Sequence, residues 1–180
     1  GYCYGCGRNT FGNDIGIMID VNQGWSVEET ISVCKKIEDY SPEWLEEPVM
    51  ADDFEGYNKI CKSTNIPIVT GENNFTHHDL IPLMKSENIP ILQPDIMRGG
   101  YTNLLHTCNL ANQFGIKIAP HMFPELSIHI VASIKNPSWL EYMGWYDHLW
   151  KEPLLPENGT LKPSNRSGHG MDFKSEICTF

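Results

Sequence analysis

Six ionisable residues, Asp20, Glu46, Glu72, Asp95, His121 and Glu141, each close a short apolar run, and they are separated by 26, 26, 23, 26 and 20 residues. The runs are Ile15 to Asp20, Trp44 to Glu46, Ile66 to Glu72, Ile89 to Asp95, Ile116 to His121 and Trp139 to Glu141. Runs of this length read as buried strands, and the intervening residues carry helical periodicity. Strands alternating with helices of this size specify βαβ units and a parallel sheet. Because every strand ends on an ionisable group, six such groups are brought to the carboxyl end of one sheet. A closing (β/α)8 barrel makes them converge, whereas an open doubly wound sheet spreads them along an edge. Convergence favours the barrel.

The helices carry their own signals. Ser26-Val27-Glu28-Glu29 has the form of a capping box, followed by Val27, Ile31, Cys34 and Ile37 on one face. A second helix runs through Phe54, Tyr57, Ile60 and Cys61, and a third opens at Thr76 with Asp79 three residues on. Pro82 falls in that third helix and is expected to kink it. Helices over 102–114 and from Pro124 to about Ile134 complete the pattern.

Only six strand units can be counted, and a full barrel of eight typically needs roughly 250 residues against the 180 present. The expected architecture is therefore an incomplete α/β TIM-type barrel. Residues 1–8 are expected to form a leader outside the fold, 9–150 to supply strands three to eight, and 151–180 to form an irregular Pro- and Gly-rich tail.

Composition removes several classes of function. A net charge of −10 opposes binding to nucleic acid or to an anionic membrane surface. There is no apolar run of membrane-spanning length and no secretory leader pattern, so a cytoplasmic location is expected. Cys34, Cys61 and Cys108 sit among helical apolar residues and read as free thiols. The Cys3-Tyr4-Gly5-Cys6 pair lacks the second pair that a structural zinc site requires. Trp145, Tyr146 and Trp150 form an aromatic stripe that suits either a homo-oligomer interface or a cover for the barrel rim.

Asp20, Glu46 and Glu72, on consecutive strand ends, make an all-oxygen set suited to Mg2+. Asp95 and His121 end neighbouring strands, so the carboxylate can orient the imidazole as a general acid/base. Glu141 faces the same cavity and, kept protonated, donates a hydrogen bond to a developing oxyanion. A divalent cation beside a general acid/base suits removal of the proton next to a carboxylate, giving a metal-stabilised enediolate from a small carboxylic acid.

The stretches Asp20-Val21-Asn22-Gln23, Trp44-Leu45-Glu46-Glu47-Pro48, Gly71-Glu72-Asn73, Gln93-Pro94-Asp95, Pro120-His121-Met122-Phe123 and Trp139-Leu140-Glu141 resemble, in order and spacing, the strand-end motifs of the enolase superfamily, mandelate racemase subgroup. The resemblance covers about residues 9 to 173. It implies Asp20, Glu46 and Glu72 as Mg2+ ligands, Asp95 and His121 as the catalytic dyad, and Glu141 as the electrophilic glutamate. Asn22, His121 and Glu141 are implied near substrate, with Glu47 and Asn73 supporting the ligands from behind. Relatives of the muconate cycloisomerase and dipeptide epimerase kind carry a lysine where Asp95 stands and are disfavoured. Members of the subgroup also bring a Lys-x-Lys base on the second strand and an amino-terminal capping domain, neither of which lies in these residues. The Met97–Gly100 loop is one residue shorter than the usual form.

The activity implied is an acid-sugar dehydratase, a lyase. The alternatives are a racemase or epimerase of a 2-hydroxy acid, an inactive truncated remnant, and a non-enzymatic metal-binding module, the last of which gives Asp95 and His121 no purpose.

Overall fold

The chain, seen in a computed structural model, is described over residues 7–8, 10, 12–86 and 88–177. The Cys3/Cys6 pair and Cys178 lie outside the described residues. Among the described residues five short strands, β1 (Met18–Asp20), β2 (Trp44–Glu46), β3 (Ile68–Thr70), β4 (Ile91–Leu92) and β5 (Lys117–Ile118), form one sheet in sequential order with every pairing parallel. Five helices follow them in turn: α1 (Val27–Ile37), α2 (Phe54–Cys61), α3 (His77–Lys85), α4 (Ile96–Gln113) and α5 (Pro124–Val131). Sequential parallel order with one crossover hand keeps all helices on one face and curls the sheet, which is the winding of a (β/α) barrel wall rather than of a doubly wound sheet.

The two faces of the sheet pack differently. Ile19, Leu45, Ile68, Leu92 and Ile118 point outward into one large cluster that includes Cys34, Tyr57, Leu80, Leu83, Leu104 and Cys108 from the helices. The alternate residues Trp44, Val69, Ile91 and Ala119 form a small separate inner layer. This alternation is the period of two along a strand, and because both faces carry apolar side chains the strands read as unbroken apolar runs.

Helix starts follow the sequence signals. The Ser26 hydroxyl accepts the Glu29 N–H at 3.1 Å, and Glu28 and Glu29 sit in the first turn of α1 while Lys35 and Lys36 sit in the last, both arrangements favourable to the helix dipole. Ser26→Ala is expected to cost about 1 kcal/mol, read as a lower denaturant midpoint with an unchanged slope. The reciprocal capping box is complete at Thr76 and Asp79. α3 continues through Pro82, which removes one bond to an exposed first-turn carbonyl without ending the helix. The helical break lies instead at Gly100, with φ 72° and ψ 178°, separating a short turn at residues 96–99 from the body of α4. A left-handed φ of this kind is open to glycine at little cost.

Three expectations need correction. Trp139–Glu141 is not a sixth strand: parallel pairing reaches only Ile118 with Pro137, through Ile118 N–H to Asn136 O at 2.9 Å and Ser138 N–H to Ile118 O at 2.8 Å, and the chain then leaves the sheet. Trp150 is not an exposed member of an aromatic stripe; it is buried and stacks on Phe173 at 4.5 Å, flanked by Lys151 N–H donating to Asp172 O and Lys174 N–H donating to Leu149 O. Tyr146 stacks on Phe123, and Trp145 alone of the three is widely exposed. Within residues 1–8, Arg8 is bonded to the carbonyls of Tyr40, Ser41, Gly12 and Ile15, so the fold includes it. Among the described residues no helix is long and apolar enough to cross a membrane.

Candidate active site

The carboxyl ends of the five strands gather the expected groups into two adjoining clusters. In the first, Asp20 and Glu46 are register partners on β1 and β2 and line a groove of about 610 Å³ with Met18, Trp44, Gln93 and Glu141. Asp20 accepts the Asn22 N–H at 2.8 Å, and Glu46 accepts the Trp44 indole N–H at 3.1 Å. Burial pushes the Glu46 carboxyl up, the Gln93 amide and Trp44 indole oppose it, and the Asp20 and Glu141 charges add to it. Asn22 itself has a left-handed φ of 47° and an exposed side chain, so it stands at the rim through its backbone.

The second cluster is a relay. Asp95 is the N-cap of α4: its Oδ1 accepts the Met97 N–H at 2.6 Å, while Oδ2 lies 3.1 Å from His121 Nδ1. The two residues form a parallel bridge just beyond β4 and β5, which is why their side chains meet. The other ring nitrogen, Nε2, lies 3.2 Å from Glu72 Oε2. Burial pulls His121 down, but the hydrogen bond to Asp95 and the charges of Glu72, Glu141 and Asp95 outweigh it and hold the ring above its ordinary value. Glu72 is raised well above the usual carboxylate range, mainly by burial; His121 opposes this, and Glu47, Glu46 and Asp20 reinforce it. Glu141 Oε2 accepts the Met122 N–H at 2.7 Å, leaving Oε1 as its free oxygen.

Behind these groups lies Glu47, fully buried with φ 38°. Its carboxylate accepts the Thr70 hydroxyl at 3.2 Å and the Asn73 amide at 2.7 Å, and Asn73 also reaches Glu72 Oε1 at 3.3 Å. Glu47, Thr70 and Asn73 thus form a hydrogen-bonded group next to Glu72.

The donor set fits a hard divalent cation in kind: all its atoms are carboxylate oxygens, and their mutual repulsion is what a cation relieves. In the present rotamers Glu72 is turned to His121 and Glu46 to Trp44, and among the described residues no three such groups converge tightly enough to ligate one ion. Sequence reasoning missed Gln93 and Arg98. Gln93 was visible only as part of its motif; Arg98 had a signal in its position three residues after Asp95, a cation beside an acid-rich edge.

Comparison with known proteins shows the family and the fold. The family model described as enolase C-terminal domain-like matches residues 7–177. The L-talarate/galactarate dehydratase of Salmonella typhimurium is 33% identical over 172 residues, covering 94% of this chain and 43% of that protein. The crystal structure of L-talarate dehydratase from Polaromonas sp. JS666, complexed with Mg and L-glucarate, superposes with a TM-score of 0.88 at 30% identity, covering 94% of this chain and 48% of that one. A racemase from Streptomyces coelicolor with bound magnesium gives a TM-score of 0.92 at 25% identity, covering 97% of this chain and 48% of the other. The chain therefore spans a little under half the length of the relatives it matches.

Proposed function

The chain belongs to the enolase C-terminal domain-like family, and from that premise we propose that it serves Mg2+-dependent removal of the proton next to a carboxylate, in the dehydration of a sugar acid. The observation that carries this reading is the Asp95–His121–Glu72 relay set against the carboxylates of Asp20 and Glu46. The dehydratase relatives and the glucarate bound to one of them support the choice of substrate class.

Asp20, Glu46 and Glu72 would hold the cation, which when bound supplies positive charge for the substrate carboxylate and for the charge that builds there on proton loss. Asp95 keeps the proton on His121 Nδ1 and fixes the ring plane, so Nε2 is the atom that exchanges protons. In dehydration the α-proton leaves to a base, the bond from the β-carbon to its hydroxyl oxygen breaks, and Nε2–H supplies the proton with which that hydroxyl departs as water. Glu141, beside His121 and Glu46, presents its free oxygen to the oxyanion side of the substrate. Trp44 and Ala119 give the groove an apolar wall on the other side.

Racemisation would use Nε2 to give or take the α-proton on one face of the α-carbon and a second acid/base on the opposite face, so that the configuration inverts, and the likeness to the racemase supports it as the second reading. A sugar-acid screen in D2O separates the two: dehydration yields a keto acid, whereas racemisation yields the isomer inverted at the α-carbon and carrying deuterium there.

The metal is tested by thermal melts with EDTA and with rising Mg2+. At one hundred times the dissociation constant the stabilisation is about 2.7 kcal/mol, a rise of roughly 5–11 °C for a chain of this size, and Glu72→Ala is expected to remove it. A midpoint that ignores Mg2+ would count against the proposed ligand set.

A further inference from the structure

Glu47 and Glu72 are both buried and share the Asn73 amide, and Glu47 meets uncharged side chains, Thr70 and Asn73. The Asn73 amide serves both carboxylates through Nδ2, so its sense matters: turned over, it would set a carbonyl oxygen against two acids. Something must hold Oδ1 away from them. Arg98 does so, its terminal nitrogen donating to Asn73 Oδ1 at 2.8 Å and its Nε–H donating to the backbone carbonyl of Glu72. The guanidinium lies over the Phe75 ring at 5.2 Å, which keeps the fork in plane.

The same short turn carries Asp95. Arg98 N–H bonds the Asp95 carbonyl at 3.3 Å, Met97 N–H bonds the Asp95 carboxylate, and the turn ends at the left-handed Gly100. A Cβ on Gly99 would come within 2.7 Å of the Phe75 carbonyl, so the turn is packed directly on the loop that follows Glu72. One end of this bracket grips His121 and the other grips Glu72 and Asn73.

We propose that Arg98 is a positioning residue, which by clamping the Glu72 carbonyl and the Asn73 amide sets the orientation of the Glu72 carboxylate beside His121 and so governs how Glu72 serves the cation. This rests on the Mg2+ reading above, and the test keeps the two apart. Wild type, Arg98→Ala and Arg98→Lys are compared by hydrogen exchange at residues 71–75 without metal, and by titration calorimetry with Mg2+.

In Arg98→Ala, exchange at residues 71–75 is expected to rise about 2–10-fold while the body of α4 is unchanged, as the loss of one or two hydrogen bonds gives. The Mg2+ dissociation constant is expected to weaken about 10–100-fold. Arg98→Lys keeps the charge but not the fork and should stay near the alanine value, whereas free guanidinium added to Arg98→Ala should restore binding. An unchanged Mg2+ affinity in Arg98→Ala overturns the proposal whatever the exchange shows. If wild type binds no Mg2+, the metal reading fails, and unchanged exchange at residues 71–75 then overturns the positioning role by itself, while raised exchange upholds it. Should Arg98→Ala not fold, Arg98→Lys carries the same comparison.

Discussion

His121→Asn is expected to lower sugar-acid turnover by roughly 10²–10⁴-fold while leaving Mg2+ binding intact. Asparagine is close to the imidazole in size near the backbone and can still donate to Asp95 Oδ2, so the bracket between β4 and β5 survives. What it lacks is a nitrogen that takes up and gives back a proton near neutral pH. The expected signature is a fall in kcat with little change in KM, because the lost interaction belongs to the transition state. Retained turnover would remove His121 from the mechanism. A parallel loss of Mg2+ affinity would instead make His121 a support for Glu72, its partner at 3.2 Å, rather than the proton carrier.

The fold and the site were not equally legible in the sequence. Asp95 and His121 meet because parallel strands in register bring equivalent positions together, and a separation of 26 residues between two strand-end motifs carries that information. Trp139-Leu140-Glu141 has the same local form as its predecessors yet makes no strand, since a strand exists through its neighbours and the pairing with Ile118 stops at Ser138, just before this segment. Glu141 still arrives at the site, held by a backbone N–H of Met122 rather than by sheet pairing. The pairing of His121 Nε2 with Glu72, the two-faced Asn73 and the fork of Arg98 depend on rotamers and on long side chains crossing between elements. No local pattern encodes these contacts, because each depends on where a distant backbone has come to rest. Glu47 lies between these cases: its motif marks it as special, and its burial explains why it must be paired.

Leu45→Ala is expected to cost 2–5 kcal/mol, with the cost set by how far the helix layer can close over the vacated space. Leu45 has no exposure, sits at the centre of β2 between β1 and β3, and belongs to the large cluster between sheet and helices. Against a typical stability of about 5–15 kcal/mol this is a substantial fraction, and urea denaturation should show it as a lower midpoint with little change in slope. Met18, on the same sheet but exposed and lining the groove, should tolerate alanine with a loss below about 1 kcal/mol. The contrast follows from where apolar atoms are packed: the outer layer carries the stability, and the inner layer of Trp44, Val69, Ile91 and Ala119 is too small to do so. Comparable losses at Leu45 and Met18 would mean that the inner face is covered and contributes as much as the outer. The expected asymmetry leaves the carboxyl ends of the strands free to hold repelling carboxylates, because the energy that fixes the backbone is gathered on the other side of the sheet.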